Sequence, residues 1–143
     1  RHARGIHLLP DVSSQERNWL FKHAQLVLYP TSAEGFGLVP YEAASFETPT
    51  VHVGFGPLAD NLPGGPGVSQ DWSPVSLATA MKELIDDPAL AREVAVRIRQ
   101  HGDKLTWNRT AERLVQEYLR ILAEPSRSRT SVVRASESGP VHG

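Results

Sequence analysis

Tyr29-Pro30-Thr31-Ser32-Ala33-Glu34-Gly35-Phe36-Gly37-Leu38-Val39-Pro40-Tyr41-Glu42-Ala43-Ala44 leaves a strand, crosses a glycine-bearing loop and enters a helix. The strand is read from Leu26-Val27-Leu28-Tyr29, a short apolar run that Pro30 stops before a helical period can develop. The helix is read from Leu38, Tyr41, Ala44 and Ser45, which recur at helical spacing and place it over about 37–47, with Pro49 fixing its end. Between them, Gly35 and Gly37 have no Cβ, so the backbone there can take positive φ and a ligand can approach its amides closely. Free N–H groups at the start of a helix suit a phosphate or diphosphate. The same two glycines would equally serve a tight turn with no ligand.

Two carboxylates bracket that turn, Glu34 just before it and Glu42 inside the helix. One carboxylate can accept hydrogen bonds from two adjacent hydroxyls, so either group near a diphosphate suits a ribose or hexose diol. Taken singly, each would also pass for a solvated surface charge, the usual state of Glu.

Outward from this stretch the pattern continues. Thr50-Val51-His52-Val53 is largely β-branched and reads as the next strand, and Ile6-His7-Leu8-Leu9, closed by Pro10, reads as a buried strand preceding both. Ser13 and Glu16 have capping-box spacing, opening a helix over about 14–24 whose inner face is expected to be Trp19, Leu20 and Ala24. The breaker-rich run 54–67 reads as one long loop. Ser73-Pro74 and Asp87-Pro88 each place a cap before Pro at the first helical position. Stripes follow at Leu77, Ala80, Met81, Leu84, Ile85 and then at Leu90, Ala91, Val94, Ala95, Ile98. A last helix after Thr106 carries Trp107, Ala111, Leu114, Val115, Tyr118 and Leu122; residues 125–143 show no period and read as a disordered tail to a domain over 1–124.

Strands alternating with helices predict an α/β domain with a Rossmann-like parallel sheet and flanking helices. Ligands of such sheets bind outside the carboxyl ends of the strands, which here are Pro10-Asp11, 30–37 and 54–67. Composition narrows the function further. Fifteen Lys plus Arg against 16 Asp plus Glu give a net charge of -1, so no basic surface for nucleic acid is expected. The absence of Cys removes disulfides, thiolate metal sites and thiol nucleophiles. No apolar run approaches the roughly 20 residues of a membrane span, so no transmembrane segment is expected, and the location is read as cytoplasmic or peripheral to a membrane. Arg1-His2-Ala3-Arg4-Gly5 runs straight into an apolar segment, which reads as the beginning of a fragment.

Glu34-Gly35-Phe36-Gly37-Leu38 followed by Glu42-Ala43-Ala44 resembles the signature of the retaining nucleotide-sugar glycosyltransferases of family 4. The likeness extends through Pro30-Thr31-Ser32, Thr48-Pro49, the helix break at Asp86-Asp87-Pro88, and Trp107 through Tyr118. It implies two Rossmann-like lobes facing a cleft, with this chain belonging to the carboxyl-terminal, donor-binding lobe. By the same likeness Glu34 contacts the transferred sugar as the catalytic group and Glu42 accepts the ribose hydroxyls. The amides of Gly35, Phe36, Gly37 and Leu38 line the diphosphate and sugar, and Leu9 and Pro10 lie near the base. The donor is a nucleotide-diphosphate sugar, the partner is an amino-terminal acceptor lobe outside this chain, and no metal or other cofactor is expected.

Three departures from the family pattern stand beside the match. Glu47 occupies a place where the family usually has Gly, Asp60 is the nearest acid in a loop that tends to carry Glu, and no Arg or Lys occurs between Lys22 and Lys82. These favour, as the alternative, a non-catalytic binding or interaction module that kept the fold. An α/β phosphate-binding protein or sugar-phosphate epimerase is a third reading, disfavoured by the helix arrangement after residue 73.

Overall fold

The computed structural model describes residues 5–123. In chain order they form α1 (Ser14–His23), β1 (Val27–Tyr29), α2 (Leu38–Ala44), β2 (Thr50–Val53), α3 (Pro57–Asn61), β3 (Val68–Ser69), α4 (Pro74–Asp86), α5 (Pro88–Gly102) and α6 (Trp107–Ala123). The three strands make a parallel sheet in the order β1-β2-β3, with Leu28 opposite Val51 and His52 between Tyr29 and Val68. Every residue of β2 is buried, as expected of a central parallel strand, so Thr50-Val51-His52-Val53 shows no apolar–polar alternation. Ala44, Val51, Leu58, Leu62, Ala80, Leu84, Val94 and Ile98 form the core.

Local chemistry explains most of the boundaries. Ser13 closes a complete capping box: its hydroxyl accepts from the Glu16 amide at 3.2 Å, and its own amide donates to the Glu16 carboxylate at 2.8 Å. Ser73 accepts from the Ser76 amide, and Asp87 accepts from the amides of Ala89 and Leu90 at 3.0 Å, each ahead of a helix that opens with Pro. The buried hydroxyl of Thr48 donates to the carbonyl of Phe21 at 2.6 Å, tying the end of α1 to the entry of β2. Two units are distinct, one ending at Leu105 and one beginning at Thr106. In the second, the Thr106 hydroxyl accepts from the Arg109 amide as α6 begins.

Several expectations need correction. Residues 6–9 are not a strand: they lie outside the sheet with Ile6, Leu8 and Leu9 exposed, because an apolar run becomes a strand only where a neighbour takes its backbone bonds. On α1 the buried side chain is Phe21, which lies 6.3 Å from the ring of Phe46; Trp19 and Leu20 are outside the core and Ala24 is exposed. The helix expected over about 37–47 is only Leu38–Ala44, buried through Pro40, Ala43 and Ala44 instead of Leu38 and Ser45. The loop over 54–67 contains α3 and leads into β3, where Gly67, at φ 82, brings its carbonyl to the His52 amide at 3.0 Å. A Cβ on Gly67 would stand 3.1 Å from the carbonyl oxygen of Thr50. Glu47 adopts φ 62, so the left-handed turn that glycine would make easily is made here by a glutamate. The tail expected over 125–143 lies outside the described residues.

His52 is 3% exposed, and its Nδ1 has no hydrogen-bond partner among the described residues. Burial holds its pKa below the ordinary imidazole value of 6.5. The folded state therefore favours the neutral ring, so stability is full above about 6.5 and declines as the pH falls below it. Urea midpoints measured from about pH 8 to 5 should fall on the acid side, with a slope no steeper than about 1.4 kcal/mol per pH unit for one proton. His52→Phe should flatten that limb; an unchanged limb would assign it to other groups.

Candidate functional site

The loop between β1 and α2 leaves the carboxyl end of the sheet, and its shape is set from beneath by α3. Gly37 has φ 87 and ψ 60 and caps α2 without any side-chain hydrogen bond. A Cβ at Gly37 would run into the δ-methyl of Leu58, a side chain 1% exposed, so the loop can lie this low only without one. Asn61, at the end of α3, donates from Nδ2 to the Phe36 carbonyl at 3.2 Å, and its own carbonyl accepts from the Tyr41 hydroxyl. Carbonyl and cap are thereby fixed, while the amides of Gly35, Phe36, Gly37 and Leu38 have no acceptor among the described residues.

The two carboxylates that bracket the loop are held differently. The hydroxyl of half-buried Tyr29 donates to Glu34 Oε1. Burial, then the hydrogen bond to Glu34, then the negative charges of Glu34 and Glu42 push the phenol pKa up to about 12. Tyr29 therefore remains a proton donor to Glu34 throughout the neutral range, and leaves Oε2 of that carboxylate for another partner. Glu42 faces the other way along the site, toward α1, where Arg17 Nη2 stands 3.2 Å from its Oε1. With side chains 46% and 35% exposed, this pair contributes about 1 kcal/mol or less. Glu42 is therefore only weakly held by Arg17.

Glu34, Gly35, Phe36, Gly37, Leu38 and Glu42 thus all lie on α2 and its preceding loop, with Gly37 buried and the others half-buried or exposed. Leu9 and Pro10 are not brought to a strand end: both are exposed in the segment outside the sheet. Asp60 lies within α3, exposed. α2 spans only two turns, so its dipole is small and the unclaimed amides are the stronger feature for an anion. Arg17, Tyr29, Leu58 and Asn61 are the supporting residues that the sequence pattern did not single out. The stretch between Lys22 and Lys82 has no Arg or Lys, and Arg17 of α1 comes to this region only at Glu42 among the contacts of the described residues.

Residues 11–114 match the family described as Family 4 Glycosyltransferase in conflict systems. The chain belongs to that glycosyltransferase family. The D-inositol 3-phosphate glycosyltransferase of Kineococcus radiotolerans is 29% identical over 134 residues, covering 87% of this chain and 31% of that protein. The protein of the same description from Corynebacterium diphtheriae is 32% identical over 119 residues, covering 81% of this chain and 28% of its own length. The chain thus spans under a third of the length of these curated relatives. The region matched by the family takes in the whole loop from β1 to α2 but begins after Leu9 and Pro10. No helix among the described residues is long and apolar enough to cross a membrane.

Proposed function

We propose that this chain is the donor-binding part, within the carboxyl-terminal lobe, of a glycosyltransferase that moves a sugar from a nucleotide-diphosphate sugar to a hydroxyl acceptor with retention of anomeric configuration. The observation that carries the reading is the run of unclaimed amides from Gly35 to Leu38, set low by Leu58 and flanked by two half-buried carboxylates. Amides suit the diphosphate, Glu42 the ribose diol, and Glu34 the hydroxyls of the transferred sugar. Leu9 and Pro10 remain proposed neighbours of the base, which requires residues 6–12 to lie against the site in the complete enzyme. In this reading the donor is held by backbone amides and carboxylates with no metal ion, and the acceptor is supplied by an amino-terminal lobe outside this chain. The membership in a glycosyltransferase family favours this reading over a non-catalytic module.

Glu42→Gln tests the assignment directly. A carboxylate that accepts from two hydroxyls contributes about 1.5–3 kcal/mol, so the substitution should weaken nucleotide-diphosphate binding about ten- to a hundredfold in the complete enzyme. Arg17→Gln should leave that affinity unchanged or slightly improved, because the competing cation is gone. Titration calorimetry with UDP, GDP and ADP measures both. Equal affinity of the Glu42→Gln and parent proteins would remove Glu42 from the site.

A further inference from the structure

Two large aromatic side chains stand at the same edge of the sheet as the proposed donor loop, outside the loop itself. Phe55 follows β2 and is 55% exposed; Trp72 follows β3 and is 41% exposed. Their ring centroids are 5.1 Å apart with planes inclined at 68°, an edge-to-face contact. Solitary exposed aromatics are ordinary on protein surfaces, but this pair is held in place from several sides.

Trp72 Nε1 donates to the carbonyl of Thr31 at 3.2 Å, so the indole is fastened to the loop that leads into Glu34. The backbone around Trp72 is pinned as well. The Ser69 hydroxyl donates to the Asp71 carbonyl at 2.7 Å, and the Ser73 amide donates to Asp71 Oδ1 at 2.8 Å. On the other side, the Phe55 amide donates to the Val53 carbonyl at 2.8 Å, and Gly56, at φ 54 and ψ -137, turns the chain sharply into α3. The indole is thus held by its own hydrogen bond and the phenyl ring by its contact with the indole, while about half of each remains open. Full burial of such rings would remove far more apolar surface from water, so their exposure is what a ring-shaped ligand would complete.

We propose that Phe55 and Trp72 form a stacking platform for the pyranose ring of the transferred sugar, an inference that rests on the donor-binding reading above. The position along the sheet edge selects the sugar over the base. Glu42 is tied to α1 through Arg17, whereas Trp72 is tied to Thr31, on the Glu34 side of the loop. A donor whose ribose lies at Glu42 and whose diphosphate crosses Gly35 to Leu38 delivers its sugar toward Glu34 and so toward Trp72. A pyranose has a face of C–H groups and a rim of hydroxyls. With the two planes inclined at 68°, one ring suits the face while the other closes the side of the sugar, and the Oε2 of Glu34 suits the rim.

The test compares each nucleotide diphosphate with its sugar conjugate in the complete protein: UDP with UDP-glucose, GDP with GDP-mannose, ADP with ADP-glucose. For whichever pair binds, Trp72→Ala should leave nucleotide-diphosphate affinity within about twofold and weaken the sugar conjugate about tenfold, the size of one lost stacking contact. Trp72→Phe should retain most of that affinity, and Phe55→Ala should show the same selective loss. Unchanged nucleotide binding also certifies that the variants fold. Equal losses on both members of a pair would move the platform to the nucleotide and overturn the proposal, as would no loss on either. If the parent protein binds none of the six compounds, the donor-site reading itself fails and takes the platform with it.

Discussion

On the donor-binding reading proposed above, Glu34→Gln in the complete protein is expected to lower kcat/KM for sugar transfer about a hundredfold, with most of the loss in kcat. When the bond from the sugar C1 to the diphosphate oxygen breaks, positive charge grows on C1 and the ring oxygen, and negative charge on the departing diphosphate. In that reading Glu34 lies among the sugar hydroxyls, and an anionic carboxylate there would interact more strongly with the cationic ring than with the neutral ground state, which is the condition for accelerating the step. Glutamine keeps the volume and one acceptor oxygen but loses the charge, so binding of the donor should change less than turnover. A kcat within twofold of the parent would remove Glu34 from the catalytic role.

The companion substitution is Tyr29→Phe, which deletes the hydroxyl that donates to Glu34 and leaves the ring in place. A half-buried hydrogen bond to a charged acceptor is worth about 1.5–3 kcal/mol, part of which appears here as lost orientation. Turnover should drop about tenfold, and the double variant should be no worse than Glu34→Gln alone, because the phenol acts only through that carboxylate. With the phenol pKa pushed up to about 12, this loss should be independent of pH across the neutral range. Additive losses would give Tyr29 a separate contact.

What the sequence could disclose here is whatever neighbouring residues decide among themselves. The capping box of Ser13 and Glu16, the Ser73-Pro74 and Asp87-Pro88 helix starts, and the β-branched run of β2 are all local, and each is found where the spacing places it. The signature from Glu34 to Glu42 was legible because strand, loop and helix are contiguous. What was misread depends on distant partners. Residues 6–9 have strand composition but no strand beside them, while Val68–Ser69 lies among breakers yet pairs with β2 because Gly67 permits the approach. Amphipathic spacing gave α1 an inner face but could not say which neighbour it packs on, so Phe21 took the place expected of Trp19 and Leu20. The supports of the site are equally nonlocal: Arg17 against Glu42, Asn61 against Phe36, and Trp72 against Thr31.

Gly37 should be the position in the loop where substitution does most harm to the fold. Its φ of 87 costs an ordinary residue about 1–2 kcal/mol, and its missing Cβ lies where the δ-methyl of buried Leu58 already sits. Overpacking of that kind adds about 1–3 kcal/mol, so Gly37→Val, which also branches at Cβ, is expected to destabilise the protein by about 3 kcal/mol or more in urea denaturation. Leu58→Ala alone should cost about 2–5 kcal/mol as a core truncation, and adding Gly37→Ala to it should cost only the conformational part, because the steric part has been removed. Gly35 provides the contrast, since a Cβ there meets nothing within 4 Å and its φ is not positive. Gly35→Ala should therefore leave stability nearly unchanged, and any loss of nucleotide-diphosphate affinity it causes reports on the ligand's approach to the loop. Were Gly37→Val to denature at the parent's urea concentration, the loop would have to move off Leu58 readily, and the low-set row of amides would cease to be a fixed property of the fold.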